Sequence, residues 1–84
     1  MASAISVQLD ERLQRFIKQL QKRKRVSPGE AAIDLLQTGY FERVRQLHRQ
    51  YLAGEITLRR MAKELGLEYR QLYALLEDLK LPVA

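Results

Sequence analysis

The chain has 84 residues, 46% hydrophobic and 30% charged, with 15 Lys and Arg against 10 Asp and Glu for a formal net charge of +5. That balance is one of a small folded domain, and a single chain of this length buries only roughly 60–65% of its unfolded surface, so a second copy is the simplest cover for the rest. The lack of cysteine excludes disulfides and thiolate metal sites, a single histidine excludes a histidine-rich metal site, and no apolar run approaches the roughly 20 residues needed to span a bilayer. Met1-Ala2-Ser3-Ala4 has neither a positive stretch nor a long apolar one, so a cytoplasmic location is expected, with no membrane contact. The basic surplus is shared by both halves and suits phosphate backbones or other anionic partners.

In chain order, Ala4-Ile5-Ser6-Val7-Gln8-Leu9 alternates strictly, which predicts a half-buried strand with Ile5, Val7 and Leu9 on one face. No second strand-like run follows, so its edges are expected to pair with the same strand of a second chain. Asp10 stands at an N-cap position, and Leu13, Phe16, Ile17 and Leu20 follow at i, i+3, i+4 and i+7, the stripe of an amphipathic helix that frays into Lys22-Arg23-Lys24-Arg25.

Ser27-Pro28-Gly29-Glu30 has the order of a capping box with Pro at the first helical position, opening a second helix through Ala32, Ile33, Leu35 and Leu36 toward Gly39. Gly39 either ends that helix or merely thins it. Beyond it, Tyr40, Val44, Leu47 and Tyr51 keep a 4-3-4 spacing and predict a third helix to about Ala53. Gly54-Glu55-Ile56 breaks the pattern, Thr57 caps a short helix from Leu58 to Leu65, Gly66 closes it, and a last helix runs from about Glu68 to Leu79 before Pro82. The expected architecture is mainly α, one strand and about five helices, organised as residues 1–53 and residues 54–84.

Strand, helix, short break and capped helix follow the order of the ribbon-helix-helix proteins. Ile5-Ser6-Val7-Gln8-Leu9-Asp10-Glu11 resembles that family's opening, Val26-Ser27-Pro28-Gly29-Glu30 its second-helix start and Leu36 to Gly39 its usual end. The resemblance covers about half the chain and implies a homodimer whose paired strands enter the major groove of double-stranded DNA. Ala4, Ser6 and Gln8 would then face bases, Gln8 being able to bond adenine N6 and N7 together. The family often places Arg or Lys on this face, and this sequence has none there. Arg23, Lys24 and Arg25 could reach phosphates, as could the start of the second helix at Ser27 and Gly29. The plainer reading is that the strand only dimerises and the basic cluster is a solvated helix end.

Residues 57–76 have the spacing of a helix-turn-helix, with Ala62 where the helices cross, Gly66 at the turn and Leu67 and Leu72 inward. This makes Arg70 and Gln71, near the start of the second helix, an alternative DNA-reading pair. Tyr51 to Leu58, Ala62 to Leu67 and the terminal Leu81-Pro82-Val83 also resemble a family of small prokaryotic proteins proposed as antitoxins of PIN-domain ribonuclease toxins. Met61, Glu64 and Tyr69-Arg70-Gln71-Leu72-Tyr73 depart from its pattern. The resemblance spans about residues 43–83 and implies a toxin-binding surface, for which Tyr69, Tyr73, Leu76, Leu79 and Leu81 are the candidates, with the tyrosines as aromatic anchors. Filling of the helix-turn-helix core is the competing role for the same side chains.

Nothing in the sequence assembles a catalytic centre. His48 lies among Arg45, Arg49 and Tyr51 without an evident carboxylate partner and reads as a surface or interface residue, and no phosphate-binding glycine loop or metal-ligand spacing occurs. No cofactor is expected. The expected function is a dimeric DNA-binding antitoxin and autorepressor acting on its own operator and on a toxin encoded nearby. The alternatives are a protein-interaction module without DNA binding and a standalone transcriptional regulator without a toxin.

Overall fold

Each helix begins where a side chain can satisfy an otherwise unpaired backbone N–H. In the structure, a computed structural model describing residues 5–83, these are α1 (Glu11–Lys24), α2 (Pro28–Leu52), α3 (Leu58–Leu65) and α4 (Tyr69–Asp78). Asp10 Oδ1 accepts the Leu13 N–H at 2.9 Å. Ser27 and Glu30 exchange side-chain and backbone hydrogen bonds at 3.1 and 3.3 Å, a complete capping box ahead of α2. Thr57 Oγ1 accepts from Arg60 N–H at 3.1 Å, and Gln71 Oε1 reaches back to the Glu68 N–H at 2.9 Å.

The helix ends are equally local. Arg25 (φ +54°), Gly54 (φ +76°) and Gly66 (φ +67°) take the left-handed conformation that lets the chain turn back on the last carbonyls. The Glu55 N–H then bonds Gln50 O at 2.9 Å, and the Leu67 N–H bonds Ala62 O at 2.9 Å.

Two expectations are corrected. The ribbon-helix-helix strand is not formed: among the described residues there is no strand, and 5–10 are neither helix nor sheet. Alternation specifies which side chains share a face, but a strand also needs a neighbouring backbone to pair with, and no such partner lies beside this segment among the described residues. Ile5 and Val7 accordingly stand 82% and 65% exposed. The second correction concerns the helix count. Gly39 does not end a helix; α2 runs through it for 25 residues, so the second and third expected helices are one. A single glycine costs a helix about 1 kcal/mol, which flanking turns of good helix formers readily offset.

The chain divides into two compact units, Met1–Gln37 and Thr38–Ala84. In the first, Ile17, Leu20 and Ala31 are buried, with Leu9, Val26, Ala32 and Leu35 packed around them. In the second, Val44 and Leu47 from α2, Met61 and Ala62 from α3, and Leu72 and Leu76 from α4 form the core, flanked by Leu75, Leu79 and Leu81. Met61, Leu72, Leu76 and Val44 are fully buried, a well-filled three-helix centre.

Candidate nucleic-acid interface

In the second unit, α3, the turn at Gly66-Leu67-Glu68 and α4 have the order and spacing of a helix-turn-helix. Ala62 is buried between the helices, as close crossing requires, and Leu72 anchors α4 from its first turn onto the core. This places Tyr69, Arg70 and Gln71 at the exposed start of α4. The Arg70 side chain is 89% exposed, with Nη2 3.8 Å from Glu68 Oε2, a contact too open to water to hold it. Gln71 has its carbonyl oxygen committed to the Glu68 N–H, which fixes the side chain and leaves its amide N–H groups as donors.

The five side chains read as partner-binding separate into two sets. Leu76 is fully buried, and Leu79 and Leu81 pack against the same core. Tyr69 and Tyr73 remain 44% and 46% exposed, their rings stacked at 6.2 Å with an interplanar angle of 24°. Two large aromatic faces on a rigid helix, adjoining Arg70, form an amphipathic patch of the kind that anchors interfaces.

The N-terminal candidates are dispersed. Ala4 lies outside the described residues, and Ser6 and Gln8 are exposed in the segment before α1. Lys24 is tied to Asp34 at 3.0 Å, whereas Arg23 and Arg25 are exposed without an ion-pair partner among the described residues. Ser27 is occupied in capping α2, and Gly29 lies in the first turn.

Two features escaped the sequence reading. His48 is not a surface residue but 4% exposed, its Nε2 2.5 Å from Pro82 O, while Tyr51 OH donates to Val83 O. One turn of α2 therefore clamps the Leu81-Pro82-Val83 segment. The i, i+3 spacing of His48 and Tyr51 was visible, but their acceptors lie some thirty residues on. The other is an apolar groove of about 150 Å³ in the first unit, walled by Val7, Leu9, Leu13, Ile17, Leu35 and Leu36. Val7 and Leu9 share it, as their alternation implied. Phe16, Ile33 and Leu36 stand 47%, 56% and 69% exposed in the same unit.

Among the described residues no group of acidic, histidine or cysteine side chains could hold a metal, and no helix is long and apolar enough to cross a membrane. Comparison with family models, with curated proteins and with solved structures finds no match.

Proposed function

We propose that the protein is a DNA-binding antitoxin and autorepressor that works as a homodimer, reading its operator with the start of α4 and neutralising a toxin encoded nearby. The observation that carries this reading is Arg70, 89% exposed on the second helix of a helix-turn-helix whose fully buried Leu72 fixes its register. A bidentate donor held on a rigid element can address guanine O6 and N7 in the major groove, and the Gln71 amide adds a second donor. The apolar groove and exposed Phe16, Ile33 and Leu36 favour a second copy as the cover of the first unit, since such a surface is costly to leave in water. The antitoxin role draws on the likeness of residues 43–83 to that family, and the stacked Tyr69–Tyr73 pair offers the toxin an anchor.

The same tyrosine pair favours a second reading, a module that binds a partner protein and no DNA. Fluorescence anisotropy with the upstream region of the gene and with random duplex separates the two. The expected result is preference for the upstream duplex, with Arg70→Ala costing about 1–3 kcal/mol there and little on random DNA. Absence of binding to either duplex, together with copurification of the neighbouring gene product, would establish the interaction module instead.

A further inference from the structure

The geometry points to a backbone-binding stripe on the solvent face of α1, formed by Arg15, Lys18 and Lys22, that tracks the phosphates of duplex DNA. This inference rests on the DNA-binding reading and extends it to a helix that reading does not use. The three residues follow at i, i+3 and i+7, so they form one line along the helix, and Arg25 lies just past its end in the left-handed cap. At 100° per residue that line lies opposite Ile17 and Leu20, which are buried against Ala31. The stripe therefore lies away from the apolar groove.

The carboxylates of this unit leave Lys18 and Lys22 uncompensated. Residues 5–37 contain four carboxylates, and each is engaged: Asp10 caps α1 and lies 3.7 Å from Arg12, Glu11 pairs with Arg15 at 2.7 Å, Glu30 closes the capping box and Asp34 holds Lys24. Lys18, Lys22 and Arg25 are exposed and have no such partner among the described residues. Arg15, Lys18, Gln19 and Lys22 wall an open depression of about 240 Å³.

Spacing decides what fits that space. From Arg15 to Lys22 the helix rises about 10 Å, enough to lie beside roughly two to three successive phosphates of one DNA strand. An anionic membrane is the poorer match, because surface binding of an amphipathic helix requires its apolar face in the lipid, and here Ile17 and Leu20 are buried within the protein, leaving only Leu13 and Phe16 of that face exposed.

The test is the salt dependence of duplex binding by the full chain, wild type against the Lys18→Gln/Lys22→Gln double variant, with Arg45→Gln/Lys80→Gln as a control of equal charge loss elsewhere. The stripe variant should reduce the slope of log K against log salt by about 2, equally on upstream and random duplexes, with unchanged helical content. The control should change it by less than half as much. If wild type binds DNA and the stripe variant keeps its slope, the stripe is refuted while the DNA-binding reading stands. If wild type binds neither duplex at low salt, both fail, and binding of phosphatidylserine vesicles in place of DNA likewise overturns the assignment.

Discussion

Replacing Gly39 by Ala should stabilise the protein by about 1 kcal/mol, the difference in helix propensity between the two residues. The structure supplies the conditions under which that figure transfers undiminished. Gly39 is inside α2 and exposed, it does not use a positive φ, and a Cβ built on it meets nothing within 4 Å. Neither a packing gain nor a clash therefore modifies the backbone effect. For a protein of this size the gain corresponds to a rise in Tm of roughly 4–8 °C, measured by circular dichroism during thermal unfolding. Gly54→Ala provides an internal control of opposite sign. It is equally open, but its φ of +76° is a conformation that a Cβ penalises, so a loss of about 1 kcal/mol is expected. A fall in Tm for Gly39→Ala would refute the continuous α2 and restore the break at that glycine.

Leu36→Glu tests the homodimer: Leu36 is 69% exposed and its own unit loses little, within about 0.5 kcal/mol, but a carboxylate placed against a second copy should abolish association. Sedimentation at micromolar concentration should then show wild type at twice the single-chain mass and the variant at the single-chain mass, with equal helicity; a wild type sedimenting as one chain would remove the dimer. Met61→Ala empties the centre of the second unit, where the side chain is fully buried, and should cost about 2–5 kcal/mol in urea unfolding. A cost below about 1 kcal/mol would show that α2, α3 and α4 do not share that core.

Apart from the continuity of α2 through Gly39, the helix boundaries were legible in the sequence because capping is settled within three to five residues. Asp10, Ser27 with Glu30, Thr57 and Gly66 each satisfy or terminate a helix using atoms a single turn away, so residue type and spacing suffice. Some inward residues of the second unit were legible for a similar reason: the spacing of Val44 and Leu47 on α2 defines one face, and the helix-turn-helix spacing turns Leu72 inward on α4. What the sequence could not decide depended on groups distant in the chain or in another molecule. The alternation of Ile5, Val7 and Leu9 describes a face, yet a strand exists only with a paired backbone. The apolar stripe of α1 is half buried in one chain, with Ile17 and Leu20 inside and Leu13 and Phe16 exposed. His48 read as a surface or interface residue because its partner, Pro82 O, reaches it only after α3 and α4 have folded back onto α2. The same holds for Leu76 against Tyr73, both apolar in a short helix, which only the three-helix core sorts into a buried side chain and an exposed one.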